Sequence, residues 1–267
     1  MNTIKKIKLF FNDNEYSIKI FKEVKEKLIA KGYEIVDNDY DLAIAIGGDG
    51  SFLRMVKNTQ FNPNIYYIGI NTGHLGFLQE IKPKNIDRFI ECLSNNQIRY
   101  DCIGIQKTNV MYEGKKETFS SLNEIFIKEK ELGVIRLKLF ISREEVENYV
   151  GDGMIICTSI GSTAHNLSYH GAIVHHNLHT LQITTQGALN NSVYRNVPNS
   201  IIVPETEEIL LVPEIPSSFN IRVDGDNHLY ENVECIKTGI SEEKIKILRM
   251  HDYSLSRRIN EKFIQEK

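Results

Sequence analysis

At 267 residues, with 41% hydrophobic and 25% charged side chains, the chain has the material for one large or two modest globular domains. Its formal net charge of -3 offers no basic field for nucleic acid or for a membrane surface. No apolar run approaches a bilayer span, the start leads into a strand rather than a signal-peptide core, and Cys92, Cys102, Cys157 and Cys235 form no C-x-x-C pair. A cytoplasmic protein with buried, reduced thiols is expected.

The first predicted strand covers 4–11, and Asn12-Asp13-Asn14 reads as a turn and N-cap before a helix over 15–31. Ile20, Val24 and Leu28 recur every four residues in that helix, and Gly32 stops it. The apolar run 42–46 then ends in Gly47-Gly48-Asp49-Gly50, followed by Ser51-Phe52-Leu53: a strand, a tight glycine turn and a helix start. Glycines let the backbone approach an anion closely, and the free amides of a helix start attract phosphate. Asp49 has two readings. It caps the helix, as Asp often does; or, being a carboxylate in a phosphate turn, it works through a metal or takes a proton from a hydroxyl, as phosphoryl transfer requires.

A second apolar run, 65–70, ends in Asn71-Thr72-Gly73-His74-Leu75-Gly76-Phe77. Two consecutive strands thus end in polar glycine turns, which in an open parallel sheet collect at the carboxyl edge where ligands bind. A helix over 83–94, with Ile86, Phe89, Ile90 and Leu93 on one face, completes a Rossmann-like α/β domain with a parallel sheet, placed at 1–96. From 97 to 249 the runs 107–112, 118–127, 134–141 and 219–223 are short, β-branched or aromatic, and separated by turns such as Glu113-Gly114 and Asp224-Gly225, which predicts a β-rich second domain. The tail is helical over 254–265, with Leu255, Ile259 and Phe263 at four-residue spacing, and 250–267 is expected to return to the first domain.

The second domain holds its own polar cluster. Asn123 and Glu124 interrupt the apolar run 118–127, where buried polar groups need partners. Gly151-Asp152-Gly153 precedes a strand over 154–157, and Thr158-Ser159-Ile160-Gly161-Ser162-Thr163-Ala164 follows it, with Asn166 and Ser168 close behind. Those hydroxyls either cap the next helix or read a purine and ribose. His165, His170, His175, His176 and His179 lack a cysteine or acid to complete a zinc site and read as site-lining or surface residues. Tyr194-Arg195 suits an interface, a ligand contact, or a packed stem with a solvated head. No G-x-x-x-x-G-K-[ST] run exists, so phosphate neutralisation falls to turn amides and a metal.

With Gly-Gly-Asp-Gly, Asn-Thr-Gly-His-Leu-Gly-Phe, Leu-Asn-Glu, Gly-Asp-Gly and Gly-Ser-Thr-Ala in this order, the sequence resembles the NAD kinase family along essentially its whole length. The resemblance implies transfer of the γ-phosphate of ATP to the 2′-hydroxyl of the adenosine ribose of NAD, with Mg²⁺ or another divalent metal held by the ATP phosphates rather than by protein ligands alone. It also implies an α/β amino-terminal domain, a sandwich-like all-β carboxy-terminal domain and a homodimer or homotetramer. Asp49 matches the family's catalytic aspartate, the general base; Gly47, Gly48 and Gly50 match its phosphate turn, with Arg54 a phosphate contact or a solvated side chain. Asn123 would bond the acceptor's ribose or pyrophosphate with Glu124 in support, Phe77 would line the adenine pocket, and Thr163, Ala164 and Ser168 would hold adenine and ribose, with His165 and Asn166 alongside. Asp152 would face the nicotinamide end, as would Gly187, within one chain or across a subunit boundary.

The chain departs from the family pattern at Ser159, Ile160 and His165, where proline, threonine and tyrosine are usual, and also at Tyr169-His170, His175-His176, Asp226 and Val150. These departures bear on acceptor affinity. Similar glycine turns occur in diacylglycerol and sphingosine kinases, which leaves a lipid kinase as one alternative; a catalytically weak dinucleotide-binding sensor is the other.

Overall fold

The computed structural model describes residues 4–74, 76–131 and 133–265, so Leu75 of the second glycine turn lies outside the described residues. The chain forms two units, Met1–Ile103 with Lys244–Lys267, and Gly104–Glu243. Among the described residues no helix is long and apolar enough to cross a membrane.

The first unit opens with β1 (Lys6–Phe11), α1 (Glu15–Ala30), β2 (Glu34–Ile35), β3 (Leu42–Gly47), α2 (Asp49–Asn58) and β4 (Tyr66–Asn71). The strands pair in parallel in the order β2-β1-β3-β4, and Lys246 and Ile247 add a further parallel partner beside Tyr66 and Tyr67. Every residue of β3 and β4 is buried, as expected of central parallel strands covered on both faces. Asn14 caps α1 by accepting a 2.8 Å hydrogen bond from the Ser17 amide, and Ile20, Val24 and Leu28 form the buried face. The predicted helix over 83–94 begins as a 3-10 turn at Pro83–Asn85 and continues as α3 (Ile86–Ser94), which buries Ile86, Phe89, Ile90 and Leu93. The helix Leu255–Phe263, capped by Ser254, belongs to this unit as well.

The second unit is built from β5 (Ile98–Tyr112), β6 (Lys115–Ser121), β7 (Glu124–Glu129), β8 (Ile135–Ile141), β9 (Glu144–Gly151), β10 (Gly153–Thr158), β11 (Thr180–Gln186), β12 (Ile201–Pro204), β13 (Ile209–Pro213), β14 (Ser217–Val223) and β15 (Asp226–Met250), the first and last of these being shared with the other unit. One antiparallel ladder runs β12-β11-β10-β7-β14-β15 and another runs β9-β8-β13-β15. Ile125, Ile127, Met154 and Ile156 of the first ladder share one core with Leu137, Leu139, Ile209 and Leu211 of the second. Alternate residues of each strand point inward to that core.

Two sequence expectations need correction. The run 118–127 is not one strand: β6 ends at Ser121 and β7 begins at Glu124, because the carboxylate of Asp224 takes the backbone amides between them away from the ladder. All four thiols are free, yet only Cys157 is buried; Cys92 and Cys235 are half-buried and Cys102 is exposed. The two-residue period of β5 turns Asp101 and Ile103 inward and Cys102 out.

Candidate active site

In the first unit the glycine turns meet at the carboxyl edge of the parallel sheet. Gly47 at the end of β3 pairs with Asn71 at the end of β4, and the Thr72 amide donates to the Gly47 carbonyl at 3.0 Å. The capping reading of Asp49 does not hold: the N-cap of α2 is Gly48, which has no side chain to offer the first-turn amides. Asp49 is the first helical residue, and its carboxylate reaches away to the loop after β4. There Oδ2 accepts from the Phe77 amide at 2.8 Å, and Oδ1 accepts from the amides of Leu78 and Gln79 at 3.0 and 3.2 Å. A carboxylate has about four acceptor positions, so among the described residues these three amides leave it one, on Oδ2.

Gly76 makes this clasp possible, since a Cβ there would fall 2.1 Å from Asp49 Oδ1. A Cβ on Gly48 would meet nothing within 4 Å, and one on Gly50 only the tip of Arg54 at 3.9 Å. At Gly48 and Gly50 the turn is therefore open. Arg54, an exposed side chain one helical turn on, donates from Nη2 to Asn12 Oδ1 at 2.5 Å and to Ser51 Oγ at 3.2 Å, while Ser51 Oγ donates to Asn12 at 2.7 Å. The buried ring of Phe77 lies 6.1 Å from that of Phe263.

Two participants escaped sequence reading. Asn12 directly follows β1 and anchors Arg54, although it reads as a plain turn residue. Gln79 is fully buried and donates from Nε2 to the Gly48 carbonyl at 2.7 Å, fixing the turn from below. The polar residues that directly follow apolar strands were the available signal for Asn12; nothing local marks Gln79.

The second unit gathers Asn123, Glu124 and the hydroxyl-rich turn. Asp224 and Gly225 both have positive φ, 46° and 98°, which makes a tight hairpin turn between β14 and β15. From that turn the Asp224 carboxylate accepts the amides of Leu122, Asn123 and Glu124 at 2.6, 2.8 and 3.2 Å. The Asn123 carbonyl in turn accepts the Thr158 amide at 2.8 Å, and Gly161 lies so close over it that a Cβ would come within 2.0 Å. The side chains presented are buried and incompletely bonded: among the described residues Asn123 Oδ1 and Glu124 Oε2 have no hydrogen-bond partner. Burial, with the neighbouring Asp224 charge, pushes the Glu124 carboxyl up to about 8 despite Arg222 and the His165 amide. Burial likewise raises Asp224, outweighing its three amides. Adjacent orphaned oxygens in a folded interior mark a place for an external donor such as a sugar hydroxyl.

The other residues divide. Thr163 and Ala164 are half-buried and Ser168 is exposed beside them. His165 packs edge-on against Phe126 and Tyr169, each ring 5.1 Å away, and burial lowers its pKa, which keeps the imidazole neutral. Asn166 is spent internally: its amide donates to the Ser162 carbonyl and accepts from Thr184 Oγ1 at 2.7 Å. Asp152 and Gly187 come together, because Gly187 has φ of 57° and a Cβ there would sit 2.2 Å from Asp152 Oδ2. They do not join Asn123 and Glu124. β10 pairs Gly153 with Gln186 at one end and Cys157 with Glu124 at the other, so roughly 15–20 Å of strand separates the two groups. Tyr194 is engaged by Arg136, which donates to its hydroxyl at 3.1 Å.

Among the described residues no three His, Cys, Asp or Glu side chains converge to hold a metal ion. His179 pairs with Glu205 at 3.4 Å, and the His175 and His176 rings stack 4.4 Å apart.

Residues 3–98 match the family model described as the ATP-NAD kinase N-terminal domain, and residues 122–249 match the ATP-NAD kinase C-terminal domain. The chain is 35% identical over 262 residues to an NAD kinase of Finegoldia magna, covering 94% of this chain and 96% of the relative. It is 31% identical to NAD kinase 1 of Oceanobacillus iheyensis, over 97% and 98% of the two. Among solved structures, a yeast NADH kinase complexed with NADH is similar at a TM-score of 0.88 and 17% identity, covering 100% of this chain and 90% of that one. An NAD kinase from Archaeoglobus fulgidus in complex with ATP is similar at 0.75 and 19%, covering 97% of each chain. These two likenesses concern the fold.

Proposed function

Since the chain belongs to the NAD kinase family, which phosphorylates NAD to NADP, we propose that Asp49 is the general base of that reaction here and that Asn123 and Glu124 hold the acceptor. The enzyme is a phosphotransferase with ATP as donor. The adenosine 2′-oxygen loses its proton to Asp49 and attacks the γ-phosphorus. The bond from that phosphorus to its bridging oxygen breaks, and ADP departs with the electron pair. A sugar hydroxyl is a weak acid, so a positioned base and neutralised phosphate oxygens carry most of the catalysis. The free position on Asp49 Oδ2 is the observation that carries this reading: the carboxylate is fixed by three amides and still able to accept a proton.

The first-turn amides of α2, uncapped at Gly48, are suited to the phosphates of the donor, and Arg54 lies one turn on. A divalent cation, Mg²⁺ in our reading, supplies charge neutralisation when bound. Asp49 alone makes no metal cage, so the donor phosphates would be its main ligands. Asn123 Oδ1 and Glu124 Oε2 are proposed to hydrogen-bond ribose hydroxyls, and Thr163, Ala164 and Ser168 to line the adenosine, with His165 as a neutral ring and Asn166 bracing the turn beneath. Phe77 is proposed to border adenine. The separation of Asp152 and Gly187 from Asn123 supports their service to the ligand of a neighbouring subunit, and hence a homo-oligomer; the family suggests a cytoplasmic enzyme.

Replacing Asp49→Asn tests the base. NADP formation, followed by a coupled NADP-specific dehydrogenase, should slow by about 10²- to 10⁴-fold, with NAD affinity by calorimetry largely retained. Undiminished turnover would remove Asp49 from the mechanism.

A further inference from the structure

The loop that clasps Asp49 is itself held from behind, and by the far end of the chain. Its three donating amides belong to residues 77–79; the carbonyls on either side of them, Gly76 and Glu80, both accept from Arg258 of the C-terminal helix. Arg258 Nη2 lies 3.0 Å from the Glu80 carbonyl and Nη1 3.4 Å from that of Gly76, and the side chain is only 6% exposed. One planar guanidinium thus spans both ends of a five-residue arc whose middle faces a carboxylate. A two-pronged donor fixes the distance between two carbonyls in a way that a single ammonium cannot.

Two further contacts seat the same helix on the same stretch of chain. Phe263 packs near Phe77, and Glu261 pairs with Lys82 at 2.9 Å. Glu80 is tied down separately. Its side chain accepts from the Met250 amide at 2.6 Å and from the fully buried Arg249 at 3.2 Å, and Arg249 also donates to Asp101 at 2.9 Å. Arg249 therefore fixes one end of the arc, whereas Arg258 bridges both.

We propose that Arg258 is a positioning residue for phosphoryl transfer: by bridging the Gly76 and Glu80 carbonyls it keeps the arc curved so that the 77–79 amides converge on Asp49. The proposal rests on the reading of Asp49 as the base. Without the bridge the arc relaxes, the carboxylate loses its fixed orientation, and the loss falls on turnover rather than on binding, since misplacement of a reacting group by about 1 Å can cost about 10²-fold.

The experiment is a double-mutant cycle of Arg258→Met with Asp49→Asn, measuring kcat and KM for NAD and ATP, with thermal unfolding to verify folding. Arg258→Met should lower kcat by about 10- to 100-fold while both KM values stay within about three-fold, and in the Asp49→Asn background it should slow turnover by no more than about two-fold. If Arg258→Met does not fold, Arg258→Lys takes its place in the cycle; its single ammonium cannot span both carbonyls, so the same pattern is expected at about 3- to 10-fold. A loss that carries over in full to the Asp49→Asn background, or a wild-type kcat for the Arg258 variant beside a slow Asp49→Asn, overturns the positioning role and leaves the base intact. A wild-type rate for Asp49→Asn itself overturns the base and the positioning role together.

Discussion

Both units contain an aspartate that gathers three consecutive backbone amides, and the two clasps do different work. In the first, Asp49 reaches from a helix start to residues 77–79, and the clasping carboxylate is itself the proposed reagent. In the second, Asp224 reaches from a hairpin turn to residues 122–124, and the groups offered to a ligand are the side chains of the clasped residues, Asn123 and Glu124. One clasp restrains an acid for chemistry; the other bends a backbone so that two polar side chains enter an interior. The hydrogen bonds are alike, so the consequence of removing each depends on which partner faces the substrate.

Asp224→Asn should show the largest effect on folding. An amide side chain has one accepting end, and its NH₂ would face a backbone N–H, leaving at least one donor unsatisfied at a cost of about 3 kcal/mol. Urea unfolding should report that loss, accompanied by a weaker KM for NAD. Stability within about 0.5 kcal/mol of wild type would mean that the turn at 122–124 is set by the ladders and not by the aspartate.

Gly76→Ala probes the first clasp without touching the acid. The added methyl must displace the Asp49 carboxylate from its amides, since it would begin 2.1 Å from Oδ1. Turnover should fall about 10- to 100-fold, or roughly 1.4–2.7 kcal/mol, with NAD binding retained. Gly48→Ala is the control, because its methyl enters open space: unfolding should be unchanged within about 0.5 kcal/mol, and the KM for ATP should rise if a phosphate approaches there. Equal behaviour of the two variants in turnover would dissolve the distinction between a packed glycine and an open one.

The contrast also explains what the sequence reveals. Gly47-Gly48-Asp49-Gly50 is legible because strand, turn and helix are contiguous, and the parallel order follows from alternating apolar runs. The three amides that Asp49 binds lie 28 to 30 residues away, and no local pattern encodes that pairing. Asp224 lies about 100 residues from its amides, and so the run 118–127 reads as one strand: β propensity is local, and the carboxylate that breaks it is not. Arg258, on a helix identified by its apolar spacing alone, likewise gains its partners only through tertiary contact.

The smallest effect separates the clasps by pH. Glu124 sits above its ordinary range at about 8, chiefly through burial, whereas in the unfolded chain it titrates near its usual 4.5. The folded state thus holds an extra proton between those values, and stability declines as pH rises through that window and levels off above about 8. Glu124→Gln keeps the shape and cannot ionise. It should resemble the wild type near pH 5 and become progressively the more stable of the two toward pH 9, by about 1–2 kcal/mol, in unfolding measured without ligand. Taking the difference between the two proteins at each pH cancels the titrating groups that do not interact with Glu124, leaving its own titration and its coupling to Asp224, so a flat difference would place the Glu124 carboxyl in contact with water and deprive the second clasp of its buried acid.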